Sequence, residues 1–238
     1  GKDLFDFEYR TIRRYTRSFN VRATLSKVEK ALKVMIDDDA ALAENLQTYL
    51  GKKQATDTQQ VLSPWVSAYL LVVWVLEADS ACDGFGFPFD YPHLAFYQRL
   101  REAYPSLKAL KAKGVPVLPL PVLHRTLKDV ALRNLVARIE QKIVIFNQLR
   151  EAMRIARPDS DKGLNDEGDG DIKTIESRVK AFRYSQTIQT LSASDISYQK
   201  MVKQIDKYWG KLFADPIEVN TPAGTVIIQP QRTNNLME

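Results

Sequence analysis

Residues 24–50, TLSKVEKALKVMIDDDAALAENLQTYL, carry the reading on which the fold turns. Leu25, Val28, Leu32, Met35, Leu42, Leu46 and Tyr49 keep to steps of three and four residues. That is the period of one helix face, not the two-residue alternation of a strand. The spacing predicts a single long helix over 24–50, stopped at Gly51. Asp39 falls on the apolar series, inside the run Asp37, Asp38, Asp39. Successive helical residues point about 100° apart, so three adjacent aspartates cannot converge on one ion. A solvated or register-setting role is expected for them.

The helical period continues in both directions. Upstream, Asp3 to Phe19 places Leu4, Phe5, Phe7, Ile12, Tyr15 and Phe19 among polar residues. Downstream, after a polar linker over 52–60, Val61 to Glu77 is apolar on nearly every side, as a central buried helix would be. Tyr69 to Leu76 is also rich enough in strand formers to be read as a buried strand. His93 to Lys113 reads as a helix interrupted near Pro105, Gly114 to Pro121 as an extended connection, and His124 to Arg157 as a second long helix. Ile172 to Leu191 and Ser192 to Phe213 are two more, the latter capped by Ser192 or Ser194. Ile217 to Ile228 then alternates around Pro-Ala-Gly as two strands. The predicted architecture is mainly α, a multi-helix region over 1–214 with a short β-hairpin and a helix start over 215–238.

Composition suits such a fold. Of 238 residues, 45% are hydrophobic and 26% charged, enough for a folded chain with a sizeable core. Lys+Arg number 34 against 29 Asp+Glu, and the net charge of +5 allows a polyanionic partner without demanding one. The single cysteine, Cys82, excludes an internal disulfide, and with two histidines, His93 and His124, the usual zinc ligand sets cannot be assembled. Cys82 and His93 as nucleophile and base is a weaker reading than a structural cysteine. The N-terminus is charged, and the longest apolar run, Val66 to Leu76, is too short to cross a bilayer. An intracellular, cytoplasmic protein outside the membrane is expected.

Three stretches invite functional readings. Arg10, Arg13, Arg14 and Arg17, with Arg22 close behind, recur at helical spacing and share a face. They fit a phosphate contact, or a solvated face balanced by Asp3, Asp6 and Glu8. Residues 83–92, DGFGFPFDYP, alternate Phe85, Phe87, Phe89 and Tyr91 along an irregular path. These aromatics would either stack on unpaired bases or, the preferred reading, be buried against the helices. Residues 165–176, NDEGDGDIKTIE, resemble an EF-hand calcium loop with Asn165, Glu167, Asp169, Gly170 and Glu176 in place. Its departures, Asn at the first position and Glu at the third, favour a flexible acidic loop over 158–171.

The C-terminal stretch PQRTNNLME (230–238) follows the hairpin and breaks off where a helix begins. Glu238 falls in the first turn, where the helix dipole favours a carboxylate. A chain ending inside such an element reads as a fragment of something longer. Asn234, Asn235 and Glu238 resemble the Asn-Asn-x-x-Glu stretch that supplies the third catalytic carboxylate in DDE-type DNA transposases. Gly1 to Leu4, Gly84 to Asp90 and His93 to Arg99 also look like sequences of that kind.

The resemblance implies an RNase H-like core interrupted by a helical insertion before the last carboxylate. It implies phosphoryl transfer at DNA ends with two Mg²⁺ ions held by Asp, Asp and Glu, here Glu238 as catalytic and metal-ligating residue. The two aspartates are not identified in this chain, because Asp79 and Asp83 match no core strand motif; they are expected upstream of Gly1, leaving the segment inactive alone. Transposon-end DNA is the implied partner, with Arg10, Arg13, Arg14 and Arg17 as candidate contacts, in a homodimeric active complex. Two alternatives stay open: a non-enzymatic helical nucleic-acid-binding module, and a calcium-binding helical interaction protein.

Overall fold

The computed structural model describes residues 2–52, 61–78, 86–153, 172–213, 217–221 and 224–228. Among them ten helices precede one two-stranded antiparallel sheet, the mainly α architecture that the periodicities predict. No described helix is long and apolar enough to cross a membrane. The chain divides into two compact units, residues 6–140 and residues 1–5 with 141–238.

The helices of the first unit are α1 (Lys2–Ser18, from Asp6 onward), α2 (Val21–Asp37), α3 (Ala40–Lys52), α4 (Pro64–Leu76), α5 (Pro92–Ala112), α6 (Leu120–Lys128) and the first part of α7 (Val130–Ala152). Its core joins Leu25 and Leu32 of α2, Val72 and Val75 of α4, and Phe96, Leu100 and Leu107 of α5 with Leu118 and Leu123. α4 lies against α2, α3 and α5, which is why it is apolar on so many sides. The strand alternative for Tyr69 to Leu76 therefore fails. Pro64 fits the first turn, and the Ser63 hydroxyl accepts the Val66 N–H at 3.2 Å. At the other end of α4, Arg22 and Arg99 donate to the carbonyls of Leu76 (3.3 Å) and Trp74 (2.6 Å). Both carbonyls lie in the last turn of α4, so the two arginines tie its end to α2 and α5.

Several predicted boundaries need correction. The helix expected over 24–50 is two helices: Asp39 Oδ1 accepts the N–H groups of Ala41 and Leu42 at 2.9 and 3.1 Å, starting α3 afresh. Asp39 is thus an N-cap, not a register-setting residue, and α3 runs on through Gly51. The helix expected from His124 likewise breaks at Asp129, whose Oδ1 accepts the Leu132 N–H at 2.7 Å. α6 has taken Pro121 into its first turn, where a missing N–H costs nothing. α5 is not interrupted at Pro105. That proline is exposed, and the helix continues past it to Ala112. α5 ends instead at Gly114, φ +97°. The Gly114 N–H donates to the Lys111 carbonyl and the Val115 N–H to that of Leu110, at 3.2 and 3.3 Å, a Schellman arrangement with Val115 buried.

The second unit holds the rest of α7, then α8 (Ile172–Tyr184), α9 (Gln186–Ser194), α10 (Ile196–Leu212), β1 (Ile217–Thr221) and β2 (Gly224–Ile228). The helix expected over 172–191 breaks at Ser185, whose hydroxyl accepts the Ile188 N–H at 3.3 Å. The cap of α10 is Asp195, not Ser192 or Ser194, both of which end α9. Asp195 Oδ1 accepts the Ser197 N–H at 2.7 Å and its hydroxyl at 2.6 Å. α8 is tied to α10 by a two-pronged Arg183–Asp206 ion pair, both contacts 2.9 Å. In the hairpin Ile217 pairs with Ile228 and Thr221 with Gly224.

Candidate functional site

The arginine face of α1 is real and points to solvent. Arg10, Arg13, Arg14 and Arg17 are exposed, while Leu4, Phe5, Glu8, Ile12 and Thr16 are buried. Phe7, expected to pack, is 67% exposed. Of the three acids expected to balance the face, Asp6 pairs with Arg10 at 2.7 Å, Glu8 is turned inward at 3% exposure, and the side chain of Asp3 lies outside the described residues. Arg13, Arg14 and Arg17 take part in no ion pair among the described residues.

α1 borders two clefts in the first unit. One, of about 770 Å³, lies between Phe7, Thr11, Arg14 and Tyr15 of α1 and Asn134, Leu135 and Arg138 of α7. Ala131 and Ala137 leave it open, since a methyl group fills little of the space between two helices. The other, of about 420 Å³, is lined by Arg17, Asn20, Arg22, Ser26 and His93 among others. Arg22 is held there by its bond to Leu76 and by its guanidinium lying 4.7 Å over the Phe96 ring. Asn20 takes the left-handed conformation, φ +55°, that separates α1 from α2. Among the described residues neither cleft is lined by a carboxylate. Guanidinium, amide and hydroxyl groups without acids suit phosphate oxygens: they can bind and orient an anion.

The described aromatics of the loop, Phe87, Phe89 and Tyr91, are half-buried, and two of them pack against α1. Tyr9 of α1 stacks on Phe87 at 4.9 Å and 18°, and Tyr91 meets both rings edge-on at 6.1 Å. The Asp90 carboxylate accepts the Gly86 N–H at 2.7 Å and closes the turn. Phe85 and Cys82 lie outside the described residues, so the Cys82–His93 pairing has no geometry; His93 packs against Tyr9 at 5.7 Å. His124 sits 3.1 Å from the Tyr104 hydroxyl.

The basic residues of α7 divide between solvent and interior. Arg133 and Arg138 are exposed, whereas Lys142 and Arg150 are buried at 3% and 7% exposure. The Lys142 ammonium meets Asp195 at 3.8 Å and the Tyr198 ring at 5.8 Å, which is what lets a cation sit inside. Sequence reading had no place for Asn134. Its signal is the Asn134, Arg138 step of four, which puts both on one face of α7.

Glu238, Asn234 and Asn235 lie outside the described residues, as does the acidic loop over 158–171. Among the described residues no three His, Cys, Asp or Glu side chains gather as metal ligands. Glu238, the residue the resemblance assigns to Mg²⁺, is among those undescribed residues, and the described residues make no fit to that ion. Glu176, twelfth in the calcium-loop pattern, sits inside α8 and accepts the indole N–H of Trp209 at 3.1 Å. A calcium loop needs both oxygens of that residue for the ion. No protein-family model matches the chain, and neither does any curated protein or solved structure.

Proposed function

We propose that the chain is the helical insertion region of a DDE-type DNA transposase and that its α1–α7 cleft holds the backbone of a transposon end. The observation that carries the DNA contact is the carboxylate-free cleft with Arg14 and Arg138 on facing helices. The terminal Asn234, Asn235 and Glu238 motif is what points from DNA binding toward strand cleavage and transfer. On this reading Glu238 completes a carboxylate set that holds Mg²⁺, two copies pair in the active complex, and the protein works inside the cell.

Two measurements test it. Binding of the chain to a labelled transposon-end duplex is followed by fluorescence anisotropy over a salt series, for wild type and for Arg14→Ala with Arg138→Ala. The double variant is expected to bind about tenfold more weakly, with the log–log salt slope reduced by about 1.8, or 0.9 for each lost phosphate contact. An unchanged slope removes the cleft from the DNA contact. In the protein as encoded, supplied with Mg²⁺, Glu238→Gln is expected to keep DNA binding and lose strand cleavage. Cleavage at the wild-type rate removes the catalytic role.

A further inference from the structure

A second basic surface lies on α10, in the other unit. Lys200, Lys203, Lys207 and Lys211 follow one another at steps of three, four and four residues. At about 100° per residue they fall within about 80° of the helix circumference. All four are exposed, and none enters an ion pair among the described residues. Asp206, the single acid of α10, points about 100° away from Lys207 and is held by both prongs of Arg183 at 2.9 Å. Met201, Val202 and Ile205 bury the opposite side, which fixes the lysines toward solvent.

We propose that this lysine stripe is a contact for the phosphate backbone of duplex DNA, separate from the α1–α7 cleft. It rests on the reading of the chain as DNA-binding, and it adds a second surface to it. From Lys200 to Lys211 the helix rises about 16 Å, the length over which one strand presents about five phosphates. Lysine ammonium groups are hydrated point charges on flexible stems, suited to following a backbone without reading bases. A protein partner would need a desolvated aromatic or arginine anchor at its centre, and the stripe offers only Tyr208 at its edge, under the Lys207 ammonium at 5.2 Å. A bilayer surface would need an apolar face free to enter lipid, and that face of α10 is packed in its own unit.

The test uses the whole chain in a salt-dependent anisotropy titration against a labelled duplex. The variants are Lys200→Gln, Lys203→Gln, Lys207→Gln and Lys211→Gln combined, the cleft pair Arg14→Ala with Arg138→Ala, and a net-charge control, Lys27→Gln with Lys30→Gln on the exposed side of α2. The quadruple variant is expected to lower affinity at least tenfold at low salt and to reduce the log–log slope by up to about 3.6, four contacts at 0.9 each. Its far-UV circular dichroism is expected to match wild type, and two duplexes of unrelated sequence to lose equally. Wild-type affinity in the quadruple variant, with the cleft pair weakened, overturns the stripe and leaves the cleft reading standing. The reverse pattern supports the stripe and removes the cleft. An equal loss per lysine in the α2 control overturns the stripe, as does wild-type binding to phosphatidylserine vesicles as tight as to duplex.

Discussion

Asp195 offers the sharpest test of how the second unit is held together. Its carboxylate caps α10 through Ser197, at 2.7 Å to the N–H and 2.6 Å to the hydroxyl, and stands 3.8 Å from the buried Lys142 ammonium. Losing an N-cap costs about 1 kcal/mol. The attraction to Lys142 is about 4 kcal/mol gross at an effective dielectric of 20. With the Asp195 side chain 35% exposed, solvent screens much of it, leaving about 1–2 kcal/mol net. Asp195→Asn keeps the cap and loses the charge, so it should cost about 1–2 kcal/mol; Asp195→Ala loses both and should cost about 2–3 kcal/mol. The assay is hydrogen exchange resolved to the α9–α10 peptides, at neutral pH and fixed salt, which reads local opening free energies without assuming that both units unfold together. Lys142→Met completes a double-mutant cycle, with a coupling of about 1 kcal/mol expected. If Asn protected as well as Asp, the ion pair would contribute nothing; if Ala and Asn fell equally, the cap would be the idle member.

Two smaller predictions accompany it. Gly114→Ala forces a Cβ into φ +97° at the Schellman end of α5 and should destabilise the first unit by about 1 kcal/mol in urea melts, while Lys113→Ala should do far less. Asp206 is held below the usual carboxylate range, chiefly by its hydrogen bond from Arg183. Its contribution is therefore present above the unfolded carboxylate pKa and lost as pH falls through the lower folded value. The stability gap between wild type and Asp206→Asn should close on acidification below about pH 4. With the side chain 48% exposed, that gap is at most about 1 kcal/mol at neutral pH.

The apolar period in the sequence reports which residues face inward, and Leu25, Val28, Leu32, Leu100 and Ile139 are buried as it requires. It is blind to where a helix ends and another begins in phase. Asp39, Asp129 and Ser185 each divide what reads as one helix, Asp195 moves an expected break a few residues on, and each accepts the N–H of the second or third residue that follows. All four are residue types that favour the N-cap. At Asp39 the polar residue even lands on the apolar series, the one local sign that the series is broken. The arginine face of α1 was legible for a similar reason, since spacing alone puts Arg10 to Arg17 together. What faces it was not: Asn134 and Arg138 stand some 120 positions along the chain, and only packing brings α7 beside α1. Burial of Lys142 was hidden too, because its carboxylate comes from a cap between two later helices.

The boundary between the two units falls inside α7, between Glu140 and Gln141. Severing the chain there would leave residues 130–140 in one piece and 141–152 in the other, eleven and twelve residues of a single helix. Helices shorter than about 12–15 residues are marginal on their own in water, so each stub would fray at the cut. Proteases that need an extended substrate would find none at that junction, and truncations designed to isolate one half would begin with a damaged element. Swapping either half into another protein would meet the same obstacle, and a workable graft would have to carry all of α7 with it.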